Sequence, residues 1–160
     1  MRNPYQRKAA PSKAQTTSGH TNPSTPKELY RQFIQNMIIQ RHIIALYHEG
    51  WALCATPTGQ QALSIWQNKG LAKLLIRDSW AHYEIQEIPL ISMIEKMIPF
   101  LKENNTLLSL DLTPEGNNIL VSPENFLLDV KNFLYQIYLQ RPEVFAELKL
   151  PLPRDIRLHP

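Results

Sequence analysis

The sequence predicts an α+β domain, a mostly antiparallel sheet of about five or six strands with about four helices packed against one face. Three observations carry this reading. Short β-branched and aromatic runs, such as residues 43–47 and 62–66, are separated by Gly- and Pro-containing turn clusters. Two long stretches repeat apolar residues at helical spacing, each behind a capping residue and a proline. All three tryptophans, Trp51, Trp66 and Trp80, fall within residues 50–83. Large aromatic side chains of this kind are where a small domain places its core.

Order begins at Thr25-Pro26-Lys27-Glu28, a capping box. The threonine hydroxyl accepts from the Glu28 amide and the Glu28 carboxylate reaches back, while Pro26 occupies the first helical position, where its missing N–H costs nothing. Leu29, Phe33, Ile34, Met37 and Ile38 give the apolar stripe of a helix that ends near Arg41, or continues toward His48. The run 43–47 suits a strand. His48-Glu49-Gly50 then reads as a hairpin turn with 51–55 as the returning strand, Trp51, Leu53 and Ala55 on one face and Ala52 and Cys54 on the other. Residues 56–59 form a turn, 62–66 a third strand, 68–77 a short helix and 83–88 a fourth strand.

Leu90, Ile91, Ile94, Met97, Ile98 and Leu101 mark a further helix. Pro99 lies inside it and is expected to kink or break it. Residues 107–112 and 119–121 flank a turn cluster and predict a second hairpin. Ser122-Pro123 opens the best amphipathic pattern of the chain, through Phe126, Leu127, Val130, Phe133, Leu134, Ile137 and Tyr138, which stops at Pro142. The expected organisation is a disordered basic tail at 1–25, one α+β domain at 26–141 and a Pro-rich extension at 142–160 that wraps the domain surface or dangles.

The net charge of +3 is unevenly spread. Arg2, Arg7, Lys8 and Lys13 stand in residues 1–26 without an acid, which leaves 13 basic and 14 acidic side chains elsewhere and a nearly neutral domain. Four cations without interleaved aromatic residues support at most weak, salt-sensitive contact with nucleic acid through the tail. No apolar run approaches the roughly 20 residues of a membrane span, and no apolar stretch follows the N-terminal cations as in a secretory signal. A single cysteine forms no internal disulfide, and a cytoplasmic location is expected.

The order Gly50-Trp51-Ala52-Leu53, a turn with Gly59, Ala62-Leu63-Ser64-Ile65-Trp66, Ala72, Trp80-x-x-Tyr83, Ile88-Pro89-Leu90, Ile98-Pro99-x-Leu101 and Val121-x-Pro123 resembles a small bacterial family, domain-of-unknown-function family 2750. The resemblance covers about residues 28–138, and the basic tail and Pro-rich extension depart from it. It implies the fold and brings no activity, substrate or catalytic residue.

Direct chemical signatures are weak. The five glycines are isolated, so no phosphate-cradling loop exists. His42 and His48 are six apart, which suits neither a helical face nor a zinc finger, and only Cys54 adds sulfur, so no metal or cofactor is expected. Cys54 with His48 or His82 as base is a conceivable nucleophile, but a mid-strand thiol between alanines is more often inert. Asp78, Glu84 and Glu87 offer an acid–base pair, against the commoner role of solvated charges. Trp51, Trp66, Trp80, His82 and Tyr83 are the candidate binding surface, weighed against core packing. Two functional readings follow. The first is a non-enzymatic protein-interaction or regulatory module of adaptor or immunity-like kind, with a protein partner. The second is a small-ligand binder or small enzyme with a Trp-lined pocket near Cys54, His82 and Tyr83. An enzyme should show a concave polar pocket beside the tryptophans, an interaction module an exposed apolar patch.

Overall fold

A computed structural model describes residues 25–158. The tail expected at 1–25 lies, apart from Thr25, outside the described residues. Helix α1 (Pro26–Gln40) starts with the capping box the sequence predicts, Thr25 Oγ1 accepting from Glu28 N–H at 3.1 Å and Glu28 returning a carboxylate to Thr25 N–H at 3.1 Å. It buries Phe33, Ile34, Met37 and Ile38, and Arg41 closes it in the left-handed conformation (φ 66°), turning the chain directly into strand β1 (His42–Tyr47).

The sheet has six strands, with β2 (Leu53–Ala55), β3 (Gln61–Trp66), β4 (Glu84–Pro89), β5 (Leu107–Leu110) and β6 (Ile119–Val121) in the order β4-β1-β3-β5-β6 and β2 paired with β3. Every pairing is antiparallel except that of β3 with β5. The hairpin expected over 43–55 does not form. Tyr47 and Trp51 share one isolated bridge, and β2 then pairs with β3 rather than with β1. Because β1 also pairs antiparallel with β3, at Ile44–Trp66 and Ala45–Ile65, β1 and β2 run in the same direction along one edge of β3. Continuing the two registers puts both Leu46 and Ala52 opposite Ser64. Ala52 N–H donates to the Leu46 carbonyl at 3.0 Å and the Ala52 carbonyl accepts from Ser64 N–H at 3.1 Å. Along the edge of β3 the segment is one long strand from which residues 47–51 are extruded as a loop, Tyr47 still pairing with Glu84 of β4 as the last residue of β1. It behaves as an oversized bulge.

Both faces of the sheet are covered. Alternation sends Ile43, Ala45, Leu63, Ile65, Leu108 and Leu110 into the larger core, where α1, α4 (Ile98–Glu103) and α5 (Pro123–Gln140) supply Phe33, Leu101, Phe126 and Leu134. The opposite face holds Ile44, Leu46, Ala52, Trp66 and Trp80 beneath the short helix α2 (Lys69–Lys73), which contributes Ala72, with Leu75 just after it. Helices therefore lie on both faces, not on one. The sequence marks a short helix over 68–77 but carries no signal for which face of the sheet it covers. Trp66 is fully buried, and its Nε1–H donates to the Leu112 carbonyl at 2.9 Å, so the indole is satisfied as well as packed.

Pro99 breaks nothing. The helix runs from α3 (Leu90–Ser92) through a single π turn (Met93–Met97) into α4, and Ile98 N–H reaches back to the Met93 carbonyl, one residue further than in an α-helix. The wider turn just ahead of Pro99 absorbs the missing donor and the ring that would clash with an α-helical turn. The Pro-rich segment packs onto the larger core: α6 (Glu143–Leu148) buries Phe145, Ile156 is buried, and Lys131 Nζ and Lys102 Nζ donate to the carbonyls of Ile156 (3.0 Å) and Leu158 (3.3 Å).

A polar network ties α1 to the C-terminal ends of the parallel pair. Asp111, at φ 53° just past β5, accepts from Gln67 N–H at 3.0 Å and from Gln67 Nε2 at 2.6 Å, while Asn36 and Gln40 of α1 donate to the Gln67 side chain and carbonyl. Burial pushes the Asp111 carboxyl above its ordinary value, and the two Gln67 hydrogen bonds offset part of that.

Two outcomes are expected. Trp66→Ala removes a core indole and should destabilise the protein by about 3–5 kcal/mol in urea unfolding; an unchanged midpoint would contradict its place in the core. For Asp111, a folded pKa above the unfolded one means that the folded state holds the proton more tightly. Stability should therefore fall as pH rises from the unfolded carboxyl value near ~3.9 through the raised folded one. Unfolding midpoints measured across that window should slope less in Asp111→Asn than in the wild type.

Candidate functional site

The residues that sequence singled out divide between two layers. Trp66 and Trp80 are core, in edge-to-face contact with ring centroids 6.4 Å apart. Against this pair Tyr83 is half-buried, and His82 is exposed. Trp51, also half-buried, packs instead against the larger core, where the extruded loop holds it. Tyr47, 43% exposed, meets it edge to face at 4.9 Å. Pairing of Tyr47 with Glu84 sets the loop beside the start of β4, so that His48 lies 5.7 Å from the Tyr83 ring and 6.3 Å from that of His82. Tyr83 in turn contacts Trp80 at 6.1 Å. His48, His82 and Tyr83 thus form an aromatic crown on the buried base of Trp66 and Trp80, and Tyr47 with Trp51 is a separate pair beside the larger core.

The loop is held in a conformation that its residue types do not favour. Glu49 has φ 58° and Gly50 φ 156°, and His48 N–H closes the tip onto the Gly50 carbonyl at 2.9 Å. A left-handed non-glycine residue costs roughly 1–2 kcal/mol, and leaving a strand for several residues forfeits ladder hydrogen bonds. Such local cost clusters at functional sites, active sites and ligand clamps alike.

The crown carries two imidazoles, His48 and His82, and the Tyr83 phenol. The charges on it are solvent-facing: Glu49 lies 3.8 Å from His48 Nε2 and is itself largely exposed. Cys54 is buried on the sheet face beneath α2's side, where Ser64 Oγ contacts its sulfur at 3.6 Å, and burial pushes its thiol up in spite of hydrogen bonds from Ser64 and Ser109. A raised, enclosed thiol is a poor nucleophile. Asp78 and Glu87 sit in exposed ion pairs with Arg77 (3.8 Å) and Lys69 (3.5 Å), and Glu84 is exposed. Among the described residues no group of three or more His, Cys, Asp or Glu side chains is placed to hold a metal. Another perturbed group, the Tyr30 phenol, is raised by burial and by the Asp129 carboxylate it donates to, and it ties α1 to α5.

A groove of about 680 Å³, which none of the tryptophans lines, lies on the side of the sheet opposite Trp66 and Trp80, with Ile94, Ile98, Pro99, Leu127 and Leu158 as its apolar floor and Glu95, Lys102 and Arg157 among its rim charges. Sequence missed it because its walls come from residues some 60 positions apart. The only local signal is Pro99, whose π turn forms one wall. Among the described residues no helix is long and apolar enough to cross a membrane.

The family model described as "Protein of unknown function (DUF2750)" matches residues 30–130, which includes the crown, the base beneath it and the sheet. No curated protein and no solved structure matches the chain. The match spans more than half of the sequence and agrees with the motif order from Gly50 to Pro123. The chain belongs to the DUF2750 family.

Proposed function

We propose that the protein is a non-enzymatic protein-binding module, of adaptor or immunity-like kind and acting in the cytoplasm, whose contact surface is the loop 47–51 together with His82 and Tyr83. The observation that carries the reading is the extrusion itself: a strand that would continue without interruption opposite Ser64 instead gives five residues to a loop that displays Tyr47 and His48 and seats Trp51 against the larger core. Tyr and Trp dominate the energetics of protein interfaces because they offer large area at low entropic cost. The firm base of Trp66 and Trp80 limits the reorganisation that binding would otherwise require. The groove on the opposite side favours a second reading, small-ligand binding, since its volume lies in the range of roughly 300–1,000 Å³ typical of ligand sites.

The test compares capture of partners from the native host by the full chain and by Tyr47→Ala and His82→Ala, both at exposed positions. The expected result is a defined partner held by the wild type and lost by roughly 30-fold or more in affinity in a variant that removes a central contact, with unfolding midpoints unchanged within about 0.5 kcal/mol. A partner retained equally by both variants, or none enriched by the wild type, would contradict the reading and direct attention to a metabolite screen at the groove.

A further inference from the structure

The solvent face of α5 carries a pattern that neither the sheet nor the crown uses. Beyond Glu124 in its first turn, no exposed position of this 18-residue helix is charged. The two charged residues in its middle are turned to partners within the chain, Asp129 to Tyr30 and Lys131 to the Ile156 carbonyl. What remains outward is a seam of Leu128, Asn132, Tyr135 and Leu139, with Leu128, Tyr135 and Leu139 exposed by 40%, 50% and 58%. Their spacing of four, three and four residues is that of alternating a and d positions in a coiled-coil heptad. The buried stripe of the same helix, through Phe126, Leu127, Val130 and Leu134, already faces the core, so this is a second, separate seam.

We infer that this seam is the interface for a second copy of the same chain, packed antiparallel about a twofold axis between Asn132 and Tyr135. The spacing reads the same in both directions. An antiparallel twofold therefore brings Leu128 against the Leu139 position of the other copy and the Asn132 amide beside the Tyr135 hydroxyl position, so that apolar ends meet apolar ends and the polar centre meets a polar centre. That self-complementarity is what an isologous contact requires. Charge supports the same occupant: an identical surface opposes like with like, and a seam without charges avoids that repulsion. An asparagine at an a position also selects register in paired helices. About half the surface of Leu128, Tyr135 and Leu139, at roughly 200 Å² each, amounts to about 300 Å² per copy. A stable interface takes about 800 Å² per partner, so the dimer is a weak, concentration-dependent one. Tyr135 and Leu139 lie beyond the family match, which ends at residue 130.

Sedimentation equilibrium of the full chain across micromolar to millimolar concentrations tests this, with Leu128→Glu, Leu139→Lys and the double variant, and with unfolding midpoints to confirm that each folds. The wild type should dimerise. Either single change should weaken association by about tenfold or more, because it sets a charge against leucine. The double variant should recover it to within about threefold, because Glu at 128 then meets Lys at 139 of the other copy at both ends. A wild type that stays monomeric throughout would overturn the proposal, as would a dimer indifferent to folded single variants. Failure of the double variant to recover would overturn the antiparallel pairing.

Discussion

The structure depends on one strand being enclosed on every side. β3 is hydrogen-bonded along one edge to β1 and β2 in succession and along the other to β5. Its side chains alternate between two apolar layers, Leu63 and Ile65 into the larger core, Ala62 and Trp66 into the smaller ones. A strand buried on both faces needs cover on both, which is why α2 and the turn through Trp80 lie opposite the main helical layer. The buried hydroxyls of Ser64 and Ser109 fit the same constraint, since each finds a partner in Cys54 or Asn118.

The crown follows from that arrangement. With two strands sharing one edge of β3, the link between them has nowhere to go except outward, and the open end beside β4 is where it emerges. Aromatic contacts then run in a chain from the buried indoles through Tyr83 to His48. The surface stands on buried aromatic residues and carries one left-handed residue, Glu49, at its tip. The groove across the sheet and the outer seam of α5 are separate features built from the other layer.

Features encoded locally were legible in the sequence. Thr25-Pro26-Lys27-Glu28 and Ser122-Pro123 each specify a helix start within four residues, and both helices begin there. The concentration of tryptophans pointed to the core, and two of the three lie in it. The strand–loop–strand stretch 43–55 was misread because an apolar run, a Gly-containing turn and a second run describe a hairpin and an extruded strand equally well. What decides between them is the distant pairing of Ile44 with Trp66. Pro99 was legible as a disturbance but not as a π turn, because that choice rests on how Met93 and Met97 pack. Of the candidate site, the sequence points to Trp51, His82 and Tyr83, while it marks Tyr47 only as a strand residue and His48 only as a turn residue, a base or a ligand.

The central claim is that residues 47–51 leave an otherwise continuous strand for the sake of contact. Removing residues 47–52 joins Leu46, opposite Ser64, to Leu53, opposite Leu63, and preserves the alternation of faces. Cooperative urea unfolding of this deletion variant, read beside its affinity for whatever the wild type binds, is the most direct test. The account predicts a variant that folds, with a midpoint close to or above that of the wild type, and that no longer binds. A variant that fails to fold would show that the loop is part of the framework, and one that folds and still binds would place the contact elsewhere.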